Sequence, residues 1–144
     1  MKDNYTISVI GTHTVDGEED SIELTTSASY LEKNGRKLIK YRQYDPDNSE
    51  DYLTNIVKIE SKDKIELIRN HKGSISQLIL ESGKRHQCLY DTPVGSMSIG
   101  IYTDTVSFDV DENGGKVEID YTIDFNADFH SDNHLEIILV KKEN

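Results

Sequence analysis

The stretch that decides the fold is residues 116–125, KVEIDYTIDF, in which apolar and polar side chains alternate. Successive side chains of a β-strand point to opposite faces of the sheet. The apolar members of this stretch therefore share one face, which we expect to be buried: Val117, Ile119, Tyr121, Ile123 and Phe125. The acidic and threonine side chains between them face water. The pattern predicts a strand of an antiparallel sheet with one buried and one wet face.

Similar runs recur along the chain, each ended by turn residues. Asn34 and Gly35 predict a tight hairpin, because both accept positive φ. Further turn signals lie at residues 45–48, 71–73, 82–84, 92–95 and 113–115. No segment shows a helical apolar repeat.

These short, regular runs predict an all-β fold that spans residues 1–144 as one domain. We expect a single antiparallel up-and-down β-barrel of roughly 8–10 strands with little or no helix. The barrel is preferred over a two-sheet sandwich because the connections are short and because closure removes exposed strand edges.

Charge and composition exclude several classes of partner. The chain has 27 acidic and 16 basic residues, a formal net charge of −11, so we expect no nucleic acid and no membrane partner. No apolar run approaches the ~20 residues of a membrane helix, and the first residues lack the apolar core of a signal peptide. Cys88 is the single cysteine, so no intrachain disulfide can form. The sequence predicts a cytoplasmic protein.

Residues 90–95, YDTPVG, followed by 99–103, IGIYT, resemble the YwiB-like bacterial proteins, a domain family of unknown function. The similarity spans nearly the whole chain, with support from residues 11–24, 30–35, 68–69, 120–121 and 133–137. The resemblance implies a calycin-like β-barrel, related in shape to lipocalins and fatty-acid-binding proteins. It implies no activity. Because fold does not fix function, a ligand in the barrel follows only by analogy.

Arg69 is the leading candidate for ligand binding. It follows Ile65 and Leu67 at alternate positions, so strict alternation would direct its guanidinium into the barrel, where a charge needs a partner. Fatty-acid-binding barrels hold a carboxylate with inward Arg and Tyr side chains, and by that analogy three hydroxyls could join Arg69: those of Tyr41, Tyr102 and Tyr121. Tyr102 faces inward only if its strand has the phase opposite to that of Ile99. The alternative is that Arg69 lies at a strand end and reaches solvent or a surface carboxylate.

Two spacings suggest metal sites, and both have a simpler explanation. Residues 109–120 match the ligand spacing of an EF-hand loop, but the flanks alternate as strands, which favours an acidic hairpin. His130 and His134 would share a helix face, but the residues around them indicate a loop. We therefore assign no metal ligand and no cofactor.

His86 and Cys88 would share one strand face, so a nucleophile beside a base is conceivable. A lone cysteine in a strand is more often a small buried apolar residue, and no orienting acid or oxyanion-hole motif accompanies it. We assign no catalytic residue.

The sequence thus predicts a non-enzymatic barrel with a possible small apolar or carboxylate-bearing ligand in its interior. A barrel of this size is either filled by its own side chains or just wide enough for one small ligand. The alternative function is a structural or protein-interaction domain with a filled barrel and no ligand.

Overall fold

The computed structural model describes residues 3–92, 95–126 and 129–143. Within them the chain forms ten strands and no helix, so this part of the chain holds no helix that could cross a membrane. The strands are β1 (Tyr5–Val15), β2 (Glu18–Lys33), β3 (Arg36–Asp45), β4 (Asn48–Ser61), β5 (Lys64–His71), β6 (Ser74–Glu81), β7 (Arg85–Thr92), β8 (Gly95–Asp111), β9 (Gly114–Asn126) and β10 (Phe129–Lys141). The predicted corner at Pro93 and Val94 and the predicted burial of Phe125 lie outside what is described.

The ten strands form one antiparallel sheet in the order β6-β5-β4-β3-β2-β1-β10-β9-β8-β7. The first strand, β1, pairs with the last, β10. Strands that follow each other in sequence also pair with each other, apart from β6 and β7, which form the two edges of the sheet. These two edges contact each other, which makes the sheet a nearly closed barrel. The predicted up-and-down β-barrel is confirmed.

Tight turns set the register of three hairpins. At Asn34 and Gly35 both residues have positive φ, 54° and 77°. Two-residue turns with this geometry have a backbone twist that matches that of the flanking strands. The same geometry recurs at residues 16–17 and 72–73. The hairpin predicted at Asn34 and Gly35 is confirmed.

A bulge in β8 explains why its apolar residues change phase. Ile99, Ile101 and Thr103 are buried at odd positions, whereas Val110 is buried at an even one. The pairing with β9 shifts between Thr103 and Thr105, so the strand contains one extra residue there. A bulge of this kind moves the following side chains to the opposite face.

Among the described residues, β6 and β7 meet at a seam without a regular ladder of paired residues. Just after β6, Ser82 forms a parallel bridge with Thr103 on β8, and the Gly83 N–H donates to the Thr103 carbonyl at 2.8 Å. Further along, the Ile79 N–H donates to the Sγ of Cys88 at 3.4 Å. The Sγ of the buried Cys88 thus accepts a backbone N–H that a backbone carbonyl would accept in a regular ladder.

The two ends of the barrel are filled differently. Because neighbouring strands are antiparallel, the β3–β4 and β5–β6 turns lie at one end, here called the cavity end, and the β2–β3 and β4–β5 turns lie at the other, the packed end. Fully buried aliphatic side chains from most strands fill the interior toward the packed end, among them Ile7, Ile39, Ile65, Leu80, Ile101 and Ile119. The interior cavity lined by Tyr41, Asn55 and Arg69 lies toward the cavity end.

Candidate functional site

A row of polar side chains lies on the inner face of the barrel at the cavity end. Tyr41 on β3 is the direct cross-strand partner of Asn55 on β4, and Asn55 is the partner of Arg69 on β5. Arg69 in turn pairs with Ser76 on β6. Each of these residues occupies the inward phase of its strand, two positions beyond an apolar residue such as Val57 or Leu67. Strand pairing therefore brings polar groups from four strands to one level of the barrel.

Arg69 spans the mouth of the barrel. Its Nε donates to the Oδ1 of Asn55 at 3.3 Å, and its Nη1 donates to the hydroxyl of Tyr90 on β7 at 2.9 Å. Arg69 is an exposed residue, so its charge keeps contact with water. Among the described residues, no carboxylate lies within ion-pair distance of its guanidinium. The Asn55 and Tyr90 side chains that accept from Arg69 are neutral, and no carboxylate of the described residues offsets its positive charge.

Beneath Arg69 lies a cavity of about 180 Å³. Its walls are aliphatic side chains from opposite sides of the barrel, including Val9, Val57, Leu67, Leu78, Leu135 and Ile137. Its rim is the polar group of Tyr41, Asn55, Arg69, Ser76, Tyr90 and Tyr121. The site therefore combines an apolar interior with a polar mouth, as in pockets that bind small molecules.

The two inward tyrosines remain protonated at neutral pH. Burial raises the pKa of Tyr121 to about 12 and also raises the pKa of Tyr41. The positive charge of Arg69 acts in the opposite direction on both pKa values, because it stabilises a phenolate. Tyr41 and Tyr121 therefore present hydroxyl groups that can donate, close to the guanidinium.

The raised pKa of Tyr121 should make the free energy of unfolding depend on pH in the alkaline range. The folded protein holds the Tyr121 proton more tightly than an unfolded chain, whose tyrosines titrate near pH 10.0. The resulting stabilisation is complete below pH 10.0 and is lost as the pH rises through about 12. We expect the free energy of unfolding to fall across that window, and Tyr121→Phe to reduce the fall.

Removing the cation tests the proximity of the two groups directly. In Arg69→Leu we expect the pKa of Tyr121 to rise further, measured by the ultraviolet absorbance of tyrosinate. Arg85→Leu is the matched control, because Arg85 lies on the outer surface and pairs with Asp124 at 2.9 Å. Equal titration curves for the two variants would contradict the placement of Arg69 beside Tyr121.

Three of the four predicted ligand-binding residues meet at this cavity, namely Tyr41, Arg69 and Tyr121. The prediction that Tyr102 joins them is wrong. Its side chain is 41% exposed and lies on the outer face, because Ile101 and Thr103 on either side of it take the inward positions. The bulge that changes the phase of β8 comes after Tyr102 and so cannot turn it inward.

The cavity also has three polar residues that were not predicted, namely Asn55, Ser76 and Tyr90. The signal for Asn55 was present, because it stands at an alternate position between Leu53 and Val57 and so shares their inward phase. Tyr90 similarly follows the buried Cys88 by two positions. In the sequence, such cavity residues are marked as polar residues at the inward positions of a strand.

In place of two metal sites, the sequence predicted an acidic hairpin at residues 109–120 and a loop around His130 and His134. The hairpin is confirmed and the loop is wrong. Residues 109–120 form the β8–β9 hairpin as expected, with strands on both sides of the turn. The loop predicted around His130 and His134 is wrong, since both residues lie in β10, where pairing with β9 outweighs the weak strand preference of the local sequence. Four positions along a strand separate the two histidines by about 13 Å, too far to share an ion. The His134 Nδ1 instead lies 2.7 Å from Asp120.

His86 and Cys88 are engaged with different partners. The His86 Nε2 lies 2.9 Å from a carboxylate oxygen of Glu81, while the Cys88 thiol is buried in the seam beside Ile79. Both residues thus take part in closing the barrel next to the β6–β7 turn.

The fold and cavity define a small, nearly closed antiparallel barrel with one polar mouth, and comparison with known proteins agrees with this class. The chain belongs to the family described as Domain of unknown function (DUF1934), which matches residues 7–137. The crystal structure of the ywiB protein from Bacillus subtilis is similar over 96% of this chain and 92% of that chain, with a TM-score of 0.84 and 19% sequence identity. At that identity the similarity shows the fold alone. None of the curated proteins matches the chain. The resemblance to YwiB-like proteins is confirmed.

Proposed function

We propose that this protein is a non-enzymatic binding protein of the cytosol that holds one small, partly apolar molecule in the cavity beneath Arg69. The observation that carries the proposal is the combination of aliphatic walls with a polar mouth at a single end of the barrel. The single cysteine, Cys88, is buried and suits a reducing compartment.

The volume sets the size of the molecule. Pockets for drug-sized ligands usually have about 300 Å³ or more, and this cavity has about 180 Å³. An engineered apolar cavity of about 150 Å³ binds benzene. The cavity therefore suits a molecule with a body about the size of one small ring. The long alkyl chain of a fatty acid is too large for it.

Benzene is the direct probe of this proposal. We expect benzene to shift the methyl NMR signals of Val57, Leu67 and Leu78 saturably, because these side chains form the apolar wall. Leu67→Phe places a ring in the cavity and should abolish the shifts. Leu89→Phe makes the same change at a side chain that is 63% exposed on β7, and it should leave them intact.

The same experiment tests the alternative of a filled barrel that serves only as an interaction domain. If benzene gives no saturable shift, or if the shifts survive in Leu67→Phe, the proposed ligand site is contradicted. If the expected pattern is found, native mass spectrometry of protein purified from its own host would show the natural ligand as a retained adduct.

A further inference from the structure

The groups at the mouth of the cavity are mainly hydrogen-bond donors. Arg69 offers guanidinium N–H groups, Asn55 an amide N–H, and Tyr41 and Tyr121 their hydroxyls. None of the described residues that line the cavity is acidic, although the chain as a whole contains 27 acidic residues. The neutral acceptors at this mouth include the Asn55 Oδ1 and the Tyr90 hydroxyl, which already accept from Arg69. Among the described lining residues there is no negatively charged acceptor.

The amide of Asn55 marks where an acceptor would bind. Arg69 fixes the amide orientation, because its Nε donates to the Asn55 Oδ1 and a flipped amide would set two donors against each other. The Asn55 Nδ2 then has no hydrogen-bond partner among the described residues, although the residue is only 7% exposed. A buried N–H without an acceptor is rare and unfavourable in native proteins. An acceptor on a ligand in the adjacent cavity would remove this penalty.

The tyrosines extend the same donor set. No hydrogen bond to the hydroxyl of Tyr41 or Tyr121 is found among the described residues, and the charge of Arg69 acts on both groups. The negative net charge of the chain repels anions at long range, so an anion would be retained only where local donors outweigh that repulsion. The mouth of the cavity brings one cation and several such donors together.

We infer that the ligand is a small organic anion whose carboxylate binds between Arg69 and Asn55 and whose apolar body lies against Val57 and Leu67. This inference rests on the proposed function, because it names the chemical class of the molecule that the same cavity binds. A carboxylate accepts from a guanidinium and an amide at once, and charge-assisted hydrogen bonds are stronger than neutral ones. The aliphatic wall requires that the anion also carry an apolar part.

Three probes that share one ring, benzoate, benzamide and benzene, test this inference together with inorganic phosphate. We expect benzoate to bind at least about tenfold more tightly than benzamide, measured by NMR titration at constant ionic strength. Benzene should bind without using Arg69. Phosphate alone should not compete with benzoate, because it has no apolar body to fill the cavity.

Substitutions of Arg69 and Asn55 test whether these two side chains cause the preference for benzoate over benzamide. Asn55→Asp keeps nearly the same shape but places a carboxylate where the anion would bind, so benzoate binding should be lost while benzene binding remains. Arg69→Leu should reduce benzoate affinity to that of benzamide. Arg85→Leu removes an outer-surface arginine and should change neither ligand. Because Asn55→Asp adds no volume, it keeps the inference testable if Arg69→Leu fails to fold.

The outcomes separate the inference from the proposal on which it rests. If benzene binds in the cavity but benzoate binds no better than benzamide, the anion inference is overturned and the proposed binding function stands. If phosphate binds as tightly as benzoate, the organic character of the ligand is overturned. If neither benzene nor benzoate binds, the proposed function itself fails. Loss of benzoate alone in Asn55→Asp supports the inference.

Discussion

Replacing Gly115 with alanine is expected to lower the free energy of unfolding by about 4 kcal/mol or more. Gly115 lies at the start of β9 with a φ of +145°, a conformation that residues with a side chain rarely adopt. A Cβ at this position would lie 2.0 Å from the carbonyl oxygen of Asp109 and 2.6 Å from the Cα of Val110. Both atoms belong to the backbone of β8, so the clash cannot be relieved by rotating a side chain.

The expected loss is large because β9 lies between β8 and β10 and cannot move without breaking one of the two pairings. Gly11→Ala is the matched control, because Gly11 also lies in a paired strand but has no heavy atom within 4 Å of an added Cβ. We expect that control to change the free energy by less than about 1 kcal/mol. Urea unfolding followed by far-ultraviolet circular dichroism measures both. Equal stability of the two variants would contradict the close approach of β8 at Gly115.

Much of the fold could be predicted because it depends on local patterns. The alternation in residues 116–125 and the turn at Asn34 and Gly35 each report a local backbone preference, and both preferences agree with the barrel. The residues around His130 and His134 could not be predicted correctly, because there the strand is imposed by pairing with β9. Local sequence carries little information about such an element.

The candidate site was only partly predictable for a related reason. The inward phase of Arg69 follows from its own strand, but its position beside Asn55 depends on the register between β4 and β5. Register is fixed by pairing across strands, which a single strand's alternation does not reveal. Tyr102 is a different case, since the alternation of Ile99 and Ile101 in its own strand already indicates an outward side chain, and only the analogy with Arg and Tyr sites favoured an inward one.

The barrel divides its interior between stability and binding. Toward the packed end, aliphatic side chains from most strands interdigitate with almost no exposure. At the cavity end, Asn55 and Arg69 replace aliphatic residues in the same inward phase, so apolar contacts are lost there and a cavity remains. Truncating a side chain should therefore lower the free energy of unfolding more at the packed end than at the cavity end, and one substitution in each region can measure the difference.

Ile119→Ala is expected to lower the free energy of unfolding by about 2–5 kcal/mol. The Ile119 side chain has an exposed fraction of 0% and belongs to the fully buried core, where surrounding strands cannot collapse into the space that truncation leaves. Leu67→Ala removes a side chain of the same size from the cavity wall and should cost clearly less, because part of its surface already faces empty space.

Ile22→Ala is the surface control, because Ile22 is 68% exposed on β2 and should change the free energy by less than about 1 kcal/mol. Chemical unfolding gives the three free energies, and benzene titration of the same proteins gives the second measurement. Leu67→Ala enlarges the cavity and should alter benzene affinity, whereas Ile119→Ala should leave the affinity of the folded fraction unchanged. If Leu67→Ala costs as much as Ile119→Ala without any effect on benzene, the region beneath Arg69 behaves as ordinary core, and the division of the interior is contradicted.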